Sequence, residues 1–101
     1  MITVIASISV VPDKVVEFVN LFNQNVPNVL AEDGCIEYYP TVDIESGLDF
    51  QQTDPAVVTV VECWQSIEAL KRHLDAPHMA HYRNQTKDFV QGVSIKVLQP
   101  V

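Results

Sequence analysis

VVTVVECW, Val57 to Trp64, is the stretch that decides the fold. Apolar residues stand at both odd and even positions, so a strand here needs cover on both faces. Glu62 and Trp64 lie two apart and therefore on the same side of it. Working outward, Asp43 to Pro55 reads as a loop, with Gly47 and an Asp-Pro pair breaking any period. Before that loop, Cys35 to Val42 reads as a strand ending near Pro40. After Trp64, Ser66 caps a short helix through Leu74, and Pro77 starts another that runs to about Val90. Gly92 ends that helix, and Val93 to Leu98 alternates as a last strand. At the other end, Ile2, Val4, Ala6, Ile8 and Val10 alternate with Thr3, Ile5, Ser7 and Ser9, a first strand. Pro12-Asp13 opens a helix with Asp13 as its cap. Val15, Val16, Phe18, Val19, Phe22 and Val26 make its apolar face, and Pro27 kinks or restarts it before Gly34 stops it.

The order strand, helix, strand, strand, helix pair, strand is that of one α+β domain over residues 1–101. It is a ferredoxin-like, four-stranded antiparallel sheet with helices on one face. Helices cover one face only, so the two-sided strand leaves an apolar face larger than a monomer usually exposes. Packing of two copies sheet against sheet, a homodimer, is the expected remedy, and leaves the helix side free for a pocket.

The net charge is −7, from six basic and thirteen acidic residues. Such a chain repels phosphate backbones and anionic membranes, so nucleic acid is not an expected partner. Met1 to Val4 has no basic region or cleavage site, and no apolar run is long enough for a membrane span. Cys35 and Cys63 stand far apart without a CxxC motif and read as reduced thiols of a cytoplasmic protein.

All three histidines and the only tryptophan fall between Trp64 and His81. Histidine titrates near neutrality and accepts a proton from a phenolic hydroxyl, although a single histidine is as readily a surface or packing residue. His78 and His81 are spaced for one helix face and His73 precedes them, but no HExxH or CxxC spacing supports a metal site. Trp64 either packs in the core, its indole N–H on a carbonyl, or walls a planar aromatic ligand. Glu62 orients a histidine or pairs with Arg72 or Arg83. Phe22, Tyr38, Phe50 and Tyr82 supply further rings. No glycine-rich phosphate loop and no GxSxG is present, which disfavours nucleotide cofactors and serine hydrolysis.

Glu62, Trp64, Ser66, Leu70, His73, Leu74, Pro77 and His78 form a segment that resembles the antibiotic biosynthesis monooxygenase family. The resemblance is fullest to its quinol-oxidising branch, through Thr3 to Ala6, Val26-Pro27, Gly34-Cys35, Gly47, Phe50-Gln51, Pro77 to Met79, Tyr82 and Leu98 to Pro100. It implies a dimeric α+β barrel and a cofactor-free monooxygenase that oxidises a menadiol-like quinol to the quinone with molecular oxygen. Val60 and Leu70 stand where anthrone-oxidising members carry Asn and Tyr, and neither Ser7 nor Ser9 supplies the first-strand Asn of the haem-degrading branch. On this reading His73 and His78 are the candidate bases. Trp64, Phe50, Tyr38, Phe22, Met79, Tyr82 and Glu62 are the candidate substrate contacts, with no cofactor and no metal. An isomerase of a small carbonyl compound and a non-catalytic quinone binder are the alternatives.

Overall fold

A computed structural model describes residues 1–101. Its strands are β1 (Ile2–Val10), β2 (Cys35–Val42), β3 (Val57–Trp64) and β4 (Val90–Leu98). Its helices are α1 (Val15–Leu30), α2 (Ile67–Leu74) and α3 (Pro77–Thr86). The sheet order is β2-β3-β1-β4 with every neighbouring pair antiparallel, the ferredoxin-like arrangement expected.

Strand parity sorts the side chains. Val4 pairs with Glu62, Ala6 with Val60 and Ile8 with Val58, and paired residues point to one side of a sheet. All six are buried beneath the helices. Phe18 and Phe22, four apart on α1, drop into the same core. Thr3, Ile5, Ser7 and Ser9 share the opposite face with Val57, Thr59, Val61 and Cys63, and no helix of the chain covers it. The helices also stop short of β4. By register Val93, Ile95 and Val97 sit on the helix side, opposite Ile8, Ala6 and Val4, yet each is about half exposed or more (63%, 50% and 48%).

Several local expectations are corrected. Asp13 caps nothing: it lies in a 3-10 turn, Pro12–Lys14, placed by the fixed φ of Pro12, and α1 follows without a side-chain cap. Pro27 neither restarts nor ends α1, which runs through it. α3 ends at Thr86 rather than near Val90, and β4 begins at Val90 and includes Gly92. The cause is pairing: Val11 N–H donates to the Phe89 carbonyl at 2.9 Å and Val10 pairs with Val90, so β1 captures the segment that would have extended the helix. Ser66 does cap α2, its Oγ accepting from Ala69 N–H at 3.1 Å. No helix is long and apolar enough to cross a membrane.

The turn between α1 and β2 packs tightly on α2. Gly34 has φ +88°, and a Cβ placed there would meet the Ala69 Cβ at 2.7 Å. Its carbonyl accepts from Gln65 N–H at 2.8 Å. Gly47, at φ +78°, has nothing within 4 Å. Gly34→Ala should therefore combine left-handed strain with a backbone-to-helix clash and cost about 2–4 kcal/mol. Gly47→Ala carries the strain alone, about 1 kcal/mol. Thermal unfolding of the two variants beside the parent checks the difference, which should show as a Tm gap of roughly 5 °C or more.

Candidate active site

Between the helices and the sheet lies a cavity of about 390 Å³. Ala6, Ile8 and Val60 form its floor, while Val93 and Ile95 of β4 extend that floor past the helices. Its walls are aromatic. Phe22 stacks on Tyr38 with centroids 5.3 Å apart and planes 10° from parallel, and Tyr82 stands edge-on to Phe22 at 5.6 Å. Met79 completes the α3 side, and the cationic side chains Arg83 and Lys87 also border the cavity. Such a lining suits a flat aromatic ligand.

Two ionisable groups interrupt the apolar lining. His73, in the last turn of α2, is 2% exposed, and its Nδ1 lies 2.7 Å from Glu32 Oε2. A carboxylate accepts only, so a neutral His73 carries its hydrogen on Nδ1 and keeps the Nε2 lone pair free. Burial lowers the His73 pKa below its ordinary value, and the Glu32 contact opposes that shift without cancelling it. Glu62, on β3, is 6% exposed and accepts a hydrogen bond from Trp64 Nε1 at 3.0 Å. Burial pushes its carboxyl up to about 7, Glu32 adds to the rise, and the Trp64 bond works against it. Burial also raises the Tyr38 hydroxyl, and pushes that of Tyr82 up to about 12, so both rings keep their protons at neutral pH.

The structure brings Phe22, Tyr38, Glu62, His73, Met79 and Tyr82 to one cavity. It places three other candidates elsewhere. Phe50 is 84% exposed in the loop beyond β2 and does not line the cavity. Trp64 is fully buried behind the cavity, its ring 4.6 Å from His73, so it holds Glu62 and His73 rather than forming the wall. His78 does not reach the cavity. Its Nε2 is 3.5 Å from the same Glu32 oxygen and neither ring nitrogen makes a hydrogen bond. Glu62 pairs with neither arginine. The same-face spacing that aligned it with Trp64 gives it the indole N–H instead. Arg83 donates to the Leu74 carbonyl at 2.7 Å.

Glu32 is the residue that sequence reading missed. It lies in the turn after α1, and the signal was Gly34, read only as a helix stop. A glycine also marks close approach of backbone to a neighbour. That approach, onto Ala69, is what carries Glu32 to the end of α2. Cys35, close by, is a free thiol pushed up to about 11 by burial and then by Glu32, so it offers no thiolate. No group of three or more His, Cys, Asp and Glu side chains is placed to hold a metal ion.

Comparison with known proteins agrees with this fold. The chain is 39% identical over 102 residues to the protein named "Probable quinol monooxygenase YgiN" of Escherichia coli K12, covering 99% of this chain and 98% of that one. Among solved structures, a conserved protein from Methanosarcina mazei Go1 superposes with a TM-score of 0.84 at 26% identity, over 99% of this chain and 92% of that one. Rv0793 from Mycobacterium tuberculosis gives 0.81 at 27% identity, over 99% and 94%. The family model described as antibiotic biosynthesis monooxygenase matches residues 1–85, which take in β1 to β3, α1, α2 and most of α3, and ends before β4. The chain belongs to the antibiotic biosynthesis monooxygenase family.

Proposed function

We propose that this chain oxidises a menadiol-like quinol to the quinone with molecular oxygen and without a cofactor. The observation that carries the reading is His73, a neutral imidazole pinned by Glu32 and opening on an aromatic cavity of about 390 Å³. A quinol that has lost a proton is an electron-rich anion able to give electrons to oxygen directly. The protein then has to supply a base, a flat apolar slot and exclusion of water. His73 Nε2 takes a hydroxyl proton while Glu32, on Nδ1, stabilises the imidazolium that forms. The stacked pair of Phe22 and Tyr38 flanks the ring system, and Arg83 offers a positive field to the developing anion.

The balance is fixed. Two protons and two electrons leave the quinol, oxygen receives both pairs, and the products are quinone and hydrogen peroxide. Insertion of one oxygen atom would instead yield a hydroxyquinone and water. The uncovered face of β1 and β3, with Tyr39 and Leu98 at its margins, supports the homodimer as the working unit in the cytoplasm.

Four measurements test this. Purified protein given menadiol should consume oxygen and release quinone faster than the uncatalysed reaction, and should stop when oxygen is removed. Turnover that continues anaerobically identifies an isomerase, and binding without turnover a quinone carrier. His73→Ala should slow the chemical step by about 100-fold or more, with a much smaller change on His78→Ala. Because His73 must be neutral to accept, the rate should rise with pH through a pKa below the ordinary histidine value of about 6.5. Sedimentation at micromolar concentration should give twice the chain mass, and a stable monomer would remove the dimer.

A further inference from the structure

Glu62 occupies a position that strand parity reserves for the core. Its row on β3 is otherwise Val58, Val60 and Trp64, all buried, and it pairs across the sheet with Val4 and with Tyr38. Its carboxyl makes one hydrogen bond, through Oε1 to Trp64, and no salt bridge. It lines the same cavity as His73 but arrives from the sheet rather than from α2. An ionisable carboxyl with one partner, facing an apolar cavity, costs stability that a Leu or Val there would not. The cavity gives it a use.

A diphenol sheds two protons in each oxidation, one from each hydroxyl. His73 has a single free nitrogen, since Nδ1 is held by Glu32. Resting on the quinol reading above, we propose that Glu62 is a second catalytic base, taking the proton of the other hydroxyl, with Trp64 as its positioning residue. The substrate class this selects is a ring bearing two hydroxyls, one directed to α2 and one to β3. Oxygen takes up both electrons, and the two protons, held on His73 and Glu62, go to the reduced oxygen as peroxide. Both bases then return to their starting state.

The surroundings of Glu62 allow that cycle. The titratable or charged groups around it are Tyr38 and Cys35 from β2, His73 from α2, Tyr82 and Arg83 from α3, Lys87 just after α3, and Glu32 from the turn after α1. β1, β4 and α1 present only apolar side chains to the cavity, among them Ala6, Ile95 and Phe22. Burial and the Glu32 charge hold the Glu62 carboxyl near 7, so it gains and loses a proton around neutrality. Trp64 restrains that rise by donating to the ionised form.

The test is steady-state menadiol oxidation across pH by the wild type, Glu62→Gln and Trp64→Phe. In the wild type, kcat should rise through a second, higher pKa near 7. Glu62→Gln should lower kcat about 100-fold, leave KM within a few-fold, and lose that upper limb. Trp64→Phe keeps an aromatic ring but removes the N–H, so the upper limb should move to higher pH. Should either variant fail to fold, infrared titration of the wild type supplies the answer, because a buried carboxylic acid band should disappear with a midpoint near neutral pH. Full activity and an unchanged pH profile in Glu62→Gln, or a carboxyl already ionised well below neutrality, would overturn the proposal. A wild type that turns over no quinol overturns the functional reading itself and this inference with it. Normal wild-type turnover with an indifferent Glu62→Gln removes only the second base.

Discussion

Antiparallel pairing of β1 with β3 determines, residue by residue, what the helices cover. The side-chain period of a strand is two, so a slip of one residue would exchange the faces. Either Val4, Ala6 and Ile8 would turn outward with Thr3 and Ser7 turning in, or Val58 and Val60 would turn outward with Thr59 turning in. The wholly apolar row makes that slip costly, since each large aliphatic side chain left in water forfeits about 1.5–3 kcal/mol. Glu62 is carried into the core by this constraint. Its neighbours choose the register and it has no vote. Trp64 follows by the same parity, which is why the indole and the carboxyl meet.

The reactivity proposed for the site rests on groups that the fold holds at some cost. Neutral His73 and a carboxyl near 7 are both displaced from their ordinary titration by burial. Their effects on stability run in opposite directions. A buried histidine with a lowered pKa contributes fully above the unfolded value of about 6.5 and weakens the fold as pH falls below it. A carboxyl with a raised pKa weakens the fold as pH rises from about 4.5 to about 7. The two windows overlap below about 6.5, where the two effects oppose one another. Arg83 and Lys87, at the same cavity in a chain of net charge −7, concentrate positive potential where an anion would form.

Much of this was legible in the sequence because it rests on period. The alternation in Ile2 to Val10, the two-sided run in Val57 to Trp64 and the Ser66 cap each report a local rule that the fold obeys. Phe22, Tyr38, Met79 and Tyr82 were readable as rings and apolar groups of one layer, and they meet at the cavity. The failures are contacts between elements. Glu32 reaches His73 because Gly34 lets a turn press on α2, a tertiary fact with no periodic trace. Phe50 reads as a wall residue by type, yet it stands exposed and outside the cavity lining. Val90 carries equal promise as helix or strand, and pairing with Val10 decides.

The two margins of the sheet remain to be considered. β2 and β4 are edge strands, each with backbone groups that no neighbour of the same sheet satisfies. β2 carries Pro40, which has no N–H to offer to an incoming strand, and β4 carries Lys96, whose charge an added strand would have to bury. Partnership through the broad face is left unobstructed while lateral extension is blocked at both borders. Both devices work against the side-by-side addition of strands by which an uncovered sheet grows into a fibril.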